Sequence, residues 1–198
     1  MPRTMPKILL ASTSPYRRDL LARLRTPFEV RSPGVDESAA PGESPRVLAR
    51  RLAQAKALAV AQAEPDAIVI GSDQVADLDG EALSKPGGFA AALGQLRRLQ
   101  GRGVVFHTAL AVARDGGRWC RVDCIPTEVT FRRLPDAALA RYLNVDTPFD
   151  CAGAAKIESL GIALVQSVRS DDPTALIGLP LIAVVGALAA CGVDIPAP

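Results

Sequence analysis

The chain of 198 residues contains a single histidine, and none of its four cysteines, Cys120, Cys124, Cys151 and Cys191, stands in a C-x-x-C pair. A zinc centre would therefore need an unusual ligand set, and the thiols read as reduced, mostly buried side chains rather than as a disulfide framework. Neither a Walker A sequence nor a G-x-G-x-x-G stretch occurs, so neither a P-loop nor a Rossmann mechanism is supported. A net charge of +2 is too mild for a protein held mainly by a nucleic-acid backbone or an anionic membrane. Any positive charge that matters must be local. No signal-peptide-like start is evident, which points to a cytoplasmic protein, and Met5 offers an alternative start.

Charge is also missing from one long stretch. "ALIGLPLIAVVGALAACGV", residues 175–193, runs for 19 residues without a charged side chain and has the length of a membrane span. Its flanks argue otherwise, since Asp171, Asp172 and Asp194 border it without a basic cluster, and Pro180 and three glycines interrupt it. A buried C-terminal helix opened by Pro180, covered by a sheet or by a second subunit, is the expectation, and no membrane partner.

Hydrophobic residues at 48% and charged residues at 22% match globular averages, and the length suits one domain over residues 1–198. "KILLA" reads as a buried strand, Pro15 to about Leu24 as a helix and "FEVRS" as a strand. Ser44 and Pro45 open a helix to about Ala63, and "AIVIGSD" is a second buried strand. A hairpin follows at Asp79-Gly80, then a helix from Gly87 to Leu99. Two long strands, "VVFHTALAVAR" and "RVDCIPTEVTF", meet at Asp115-Gly116-Gly117, and Pro135 starts a short helix. The order implies an α/β fold, a single domain with a mixed, twisted sheet flanked by helices and a cleft between two lobes.

The chemistry begins at "ASTSPYRRDLL", where Ser14 fits an N-cap, Pro15 the first helical position, and Arg17 and Arg18 add positive charge to a helix end that is already positive. Each cation there costs roughly 0.3–1 kcal/mol unless an anion arrives. A phosphate resolves the conflict, although a solvated basic turn is the competing reading. In "GVDES", Asp36 and Glu37 could hold a hard divalent cation or belong to an ordinary surface loop. Lys56 lies four residues after Leu52 and eight after Leu48, so it either snorkels to solvent or enters a cleft. Asp73 closes the run "AIVIGSD" and would sit at the carboxyl end of a central strand, where open α/β sheets keep ligands; a turn-forming aspartate is the alternative. "LSKP" adds Lys85, and "CAGAAKIESLG" adds Lys156 and Glu158. Separated cations with a few acids suit a polyphosphate: fixed charge and a metal offset the phosphates while a carboxylate activates water.

The stretches "LASTSPYRR", "VDE", "RLAQAKA", "IGSDQV", "LSKP", "CAGAAKIE" and "IGLPL" follow one another over nearly the whole chain. In that order the sequence closely resembles the Maf family of nucleotide pyrophosphatases, whose fold is of the Maf and ITPase-like kind. Gln74 after Asp73, where another branch has threonine, resembles the branch acting on 7-methyl-GTP. The resemblance implies a hydrolase cutting between the α- and β-phosphates of a nucleoside triphosphate. By it Asp73 is the proton acceptor, and Ser12, Arg17, Arg18, Lys56 and Lys85 bind phosphate. Tyr16, Gln74 and Glu158 set the choice of base, and Glu37 with Asp73 holds Mg or Mn. A homodimer is also implied; the expectation of no nucleic-acid partner rests on the mild net charge. Two departures stand out: Tyr16 replaces the usual tryptophan, and Ala109 occupies a glycine place in "FHTALAV". A Maf-type enzyme for dTTP, UTP or CTP, and a non-catalytic nucleotide or RNA-binding regulator, are the rival readings.

Overall fold

An almost continuous run of buried residues makes strand β3, Ile68–Leu78, the axis of the molecule. In the computed structural model, which describes residues 6–196, β3 pairs in parallel with β1, Ile8–Ala11, and β1 in turn with β2, Glu29–Arg31. Residues 1–5, Met5 among them, and 197–198 lie outside the described residues. Between the parallel strands run the crossover helices α1, Pro15–Ala22, and α2, Pro45–Ala63. The rest of the sheet is antiparallel. The predicted Asp79-Gly80 hairpin joins β3 to β4, Glu81–Leu83, and helix α3, Phe89–Leu99, follows. Strands β5, Gly103–Arg114, and β6, Trp119–Phe131, are joined at Asp115-Gly116-Gly117. After helix α4, Asp136–Asp146, strand β7, Val165–Ser170, closes the order β2-β1-β3-β5-β6-β7, with β4 on β3. The result is a mixed sheet of seven strands in a single α/β domain.

The two faces of the sheet are covered differently, as the period of two along each strand requires. One face carries Val69, Val75, Ala109, Ala111 and Ala113 and packs under α2. Ala49, Ala53, Ala57 and Ala61, four residues apart and fully buried, form the stripe of α2 that meets it. This small-residue stripe lets helix and sheet approach closely. A Cβ on Gly71 would lie 2.7 Å from Ala57 N and 2.9 Å from Ala57 Cβ. The opposite face is covered in two halves. Ile68, Ile70, Leu110 and Val112 pack with α1 and with helix α5, Leu181–Ala190. Ala76, Leu78, Val104 and Phe106 pack with α3 and α4. These halves are the two expected lobes, and they share the long strands β3 and β5.

Three expectations change. β3 does not stop at Asp73: Val75, Ala76 and Leu78 continue the buried pattern, so Asp73 and Gln74 sit inside the strand. The ligand-side rim arises instead because β1 ends at Ala11, paired with Gly71, and leaves β3 to run on without it. Helix α1 ends at Ala22 rather than near Leu24, the chain tightening into i→i−3 hydrogen bonds before Arg25 adopts a positive φ of 55°. Pro180 is the N-cap of α5 and not its first residue. That helix spans about 15 Å at 1.5 Å per residue, half a bilayer core. No helix among the described residues is long and apolar enough to cross a membrane. Its buried side is Val184, Ala187 and Leu188, covered by the sheet.

Candidate active site

Beyond the end of β1 a cavity of about 890 Å³ opens between the lobes. Its wall contains Ser12, Tyr16, Arg17, Glu37, Lys56, Asp73, Gln74, Lys85 and Glu158, so nine of the ten residues to which the family resemblance gives a role meet in one place. The tenth, Arg18, does not. One residue further round α1 than Arg17, it is exposed and pairs with Asp19 at 3.3 Å. Consecutive helical residues diverge by about 100°, so only one of the two arginines can face the cavity.

The entrance to α1 is built as its sequence demands. Ser14 Oγ caps the helix by accepting Arg17 N at 3.4 Å, and buried Ser12 Oγ accepts Ser14 N at 3.1 Å. Arg17 leans into the protein and donates from Nε to Gly178 O at 2.9 Å. Burial lowers its pKa, against the opposing pull of Asp73 and Glu37. The unused ends of its guanidinium remain for a ligand.

Lys56 resolves toward the cleft. It is only 4% exposed, and its ammonium lies 2.7 Å from Asp73 Oδ1 and 2.6 Å from Glu37 Oε1. Burying a charge costs several kcal/mol unless it is paired, and the two carboxylates provide that pairing. Helix α2 projects Lys56 from the stripe of Leu48, Leu52 and Val60, and the contact of α2 with Gly71 sets its height above the sheet. Partial burial pushes the Glu37 carboxyl up, but Lys56, Lys85 and Arg17 outweigh it and leave its pKa below the ordinary value. Asp36 takes no part: its Oδ1 accepts Ser38 N at 2.9 Å and closes a local turn. Glu37 and Asp73 therefore aim oxygens at one cationic point, as ligands of a divalent ion must. Among the described residues no group of three acidic, histidine or cysteine side chains exists to complete such a shell. Magnesium fits that donor set, since it keeps several waters and takes further oxygens from phosphates.

At the other end of the cavity the Lys156 ammonium lies over the Tyr16 ring, 5.2 Å from its centroid. Burial raises the Tyr16 pKa, partly offset by the hydrogen bond with Lys156. Exposed Glu158 and residues Asp150 and Cys151 complete this wall. Gln74 projects from the opposite face of β3 to Asp73. Its Nε2, which carries two hydrogens, has three acceptors in reach: Thr108 Oγ1 at 3.0 Å, Ala175 O at 2.9 Å and Leu176 O at 3.0 Å. Backbone carbonyls can only accept, so the amide orientation is settled and Oε1 is the atom left for a ligand. Ala109 stands opposite Asp73 in register, its methyl buried on the α2 face and its carbonyl accepting Ser72 Oγ at 2.8 Å. The extra methyl removes no polar group from the cavity.

Sequence reasoning missed Ser72, Thr108 and the carbonyls of residues 175–178, which hold the named side chains in place. Only the short motif "IGLPL" hinted at that segment. The sole histidine lies elsewhere, with Nε2 3.0 Å from Asp77 Oδ2, and the four cysteines are free.

Fold and cavity together define an α/β protein arranged to take a polyanionic ligand against fixed cations, with a buried carboxylate beside them. Residues 7–191 match the family described as Maf-like protein. The chain is 57% identical over 194 residues to the 7-methyl-GTP pyrophosphatase of Bordetella pertussis, covering 98% of this chain and 96% of that protein. It is 54% identical over 189 residues to the protein of the same name from Albidiferax ferrireducens, covering 96% and 95%. The corresponding protein of Cupriavidus metallidurans is 52% identical over 189 residues, again covering 96% and 95%. The chain belongs to the Maf family.

Proposed function

We propose that the chain is a nucleotide pyrophosphatase that hydrolyses 7-methyl-GTP to 7-methyl-GMP and pyrophosphate. The observation that carries this reading is the meeting of Arg17, Lys56, Lys85 and Asp73 on the wall of one cavity of about 890 Å³. The names of relatives more than half identical to the chain support the choice of substrate. A triphosphate lies along the cations, with its base toward Tyr16, Gln74 and Glu158. Tyr16 stacks on the purine, and a ring face favours a methylated, cationic base. The carboxylate of Glu158 favours the same charge, and Gln74 Oε1 accepts a hydrogen bond from a base N–H.

Water attacks the α-phosphorus. Its oxygen forms the new P–O bond as the bond to the bridging oxygen breaks, the electron pair leaves with pyrophosphate, and the proton passes to Asp73. In the structure the Lys56 ammonium pairs with Asp73. Phosphate oxygens draw that ammonium toward the leaving group and free the carboxylate for the proton. Arg17 and Lys85 stabilise charge on the departing phosphates. A Mg or Mn ion held by Glu37 and Asp73 would offset further phosphate charge when bound. The protein would act as a homodimer on the cytoplasmic nucleotide pool.

The test compares initial rates of pyrophosphate release from 7-methyl-GTP, GTP, dTTP, UTP and CTP. The methylated purine is expected to give the highest kcat/KM, and Asp73→Asn to abolish most activity. Equal or higher rates for dTTP and UTP would assign the enzyme to the other branch. Binding of triphosphates without any pyrophosphate release would make it a non-catalytic nucleotide-binding protein.

A further inference from the structure

Between the two apolar halves on one face of the sheet runs a polar strip made by Ser72, Gln74 and Thr108. The segment 172–180 lies across it and turns its carbonyls onto it. Ala175 O accepts Gln74 Nε2 and Thr108 Oγ1, both at 2.9 Å, and Leu176 O accepts Gln74 Nε2 at 3.0 Å. Gly178 O accepts Arg17 Nε at 2.9 Å and lies 3.0 Å from Ser72 Oγ, as a second acceptor in reach of that hydroxyl beside Ala109 O. One irregular stretch of backbone thus orients a phosphate-facing guanidinium and a base-facing amide together.

Only a short 3-10 turn, Ala175–Ile177, gives this stretch regular structure, so its shape must come from elsewhere. It comes from Asp172, which is 2% exposed and pairs with no lysine or arginine among the described residues. Asp172 Oδ1 accepts Thr174 N at 3.0 Å and Thr174 Oγ1 at 2.7 Å, while Oδ2 accepts Ile182 N at 2.7 Å and Ala183 N at 3.4 Å. The carboxylate therefore ties the start of the segment to the first turn of α5, where the free N–H groups of a helix favour negative charge. Thr174 adds a second tie, its hydroxyl accepting Leu181 N at 2.8 Å and approaching Leu179 O at 2.8 Å.

We propose that Asp172 is a positioning residue that, through the segment 172–180, sets Arg17 and Gln74 as one unit and so couples phosphate grip to base discrimination. The inference rests on the pyrophosphatase reading for its substrates and not for its geometry. Asp172→Asn keeps size but not function, because either orientation of the amide turns an NH2 group toward N–H or O–H donors. Steady-state kinetics with 7-methyl-GTP and GTP should show KM raised about tenfold or more, as sub-ångström misplacement allows. The preference between the two purines should shrink with it, and kcat should change less. Thr174→Ser should stay near wild type and Thr174→Val should follow Asp172→Asn; Thr174→Val carries the test if Asp172→Asn does not fold. In a Gln74→Leu background, Asp172→Asn should no longer alter the purine preference. An unchanged KM and preference in a folded Asp172→Asn protein would overturn the proposal, as would an equal additional loss of preference in the Gln74→Leu background. If the wild type releases no pyrophosphate, the pyrophosphatase reading fails by itself. Calorimetric binding of inorganic triphosphate then tests the brace: weaker binding by Asp172→Asn supports it, and unchanged binding refutes it.

Discussion

Substituting Gly71→Ala probes the link from packing to chemistry. The new methyl would stand 2.7 Å from Ala57 N and 2.9 Å from Ala57 Cβ, and closer still to Ala53 O, where ordinary contact needs 3.4 Å or more. Two of those neighbours are backbone atoms of α2, so no side-chain rotation relieves the clash. The helix has to retreat by about 0.7 Å or more, an overpacking that costs roughly 1–3 kcal/mol. At about 2–4 °C per kcal/mol for a chain of this size, the thermal midpoint should fall by about 2–12 °C. Lys56 is the neighbour of Ala57 and moves with the helix, so its 2.7 Å contact with Asp73 lengthens. A displacement approaching 1 Å at a reacting centre can cost about a hundredfold in rate. Circular dichroism gives the midpoint, and pyrophosphate release well below it gives the rate per folded molecule. A lowered midpoint with full turnover would show that the approach of α2 to β3 does not set the position of Lys56. An unchanged midpoint would refute the packing argument itself.

Three further outcomes follow from the geometry. A cationic base stacked about 3.5 Å beyond the Tyr16 ring would lie about 9 Å from the Lys156 ammonium and be repelled by about 0.5–2 kcal/mol. Lys156→Met should therefore raise the kcat/KM ratio of 7-methyl-GTP to GTP by roughly two- to thirtyfold, and an unchanged ratio would remove Lys156 from the base end. The Glu43 carboxyl is held at about 2, below its ordinary 4.5, by hydrogen bonds from Arg51 and then from Ala40 N, and Arg51 also donates to Ser38 O at 2.8 Å in the loop that carries Glu37. A depressed carboxyl stabilises the fold above its unfolded pKa and loses that contribution as pH falls through its folded one. Urea midpoints between pH 4.5 and about 2 should thus drop more steeply for wild type than for Glu43→Gln, and parallel curves would contradict this. Burial, and then Asp150, push the Cys151 thiol up to about 12 from 9.0. At pH 8 its thiolate fraction is about a thousandfold below that of an ordinary cysteine. Iodoacetamide should leave it unmodified by mass spectrometry, and rapid alkylation would show a solvated thiol.

Much of this architecture was legible because its causes are local. The stripe of Leu48, Leu52, Lys56 and Val60 already puts a lysine in line with core residues, and Ser14-Pro15 announces a helix start under Arg17. The Asp79-Gly80 hairpin declares itself through turn chemistry. What stayed hidden depends on long-range pairing. Asp73-Gln74 reads as the end of a strand, and it is the long-range pairing with β5, Asp73 opposite Ala109, that carries β3 through these residues. Arg17 and Arg18 are equivalent as letters, and tertiary packing selects the one that reaches Gly178, 161 residues away. The role of residues 172–180 lies in backbone carbonyls, which no side-chain pattern reports.

Hydrolysis in 18O-enriched water tests the central claim most directly, because it reports which phosphorus the water attacks beside Asp73. With 7-methyl-GTP as substrate, mass spectrometry should find the label in 7-methyl-GMP and none in pyrophosphate, and Asp73→Asn should lose that product. Label in the pyrophosphate, or full turnover by Asp73→Asn, would contradict water attack at the α-phosphorus assisted by that carboxylate.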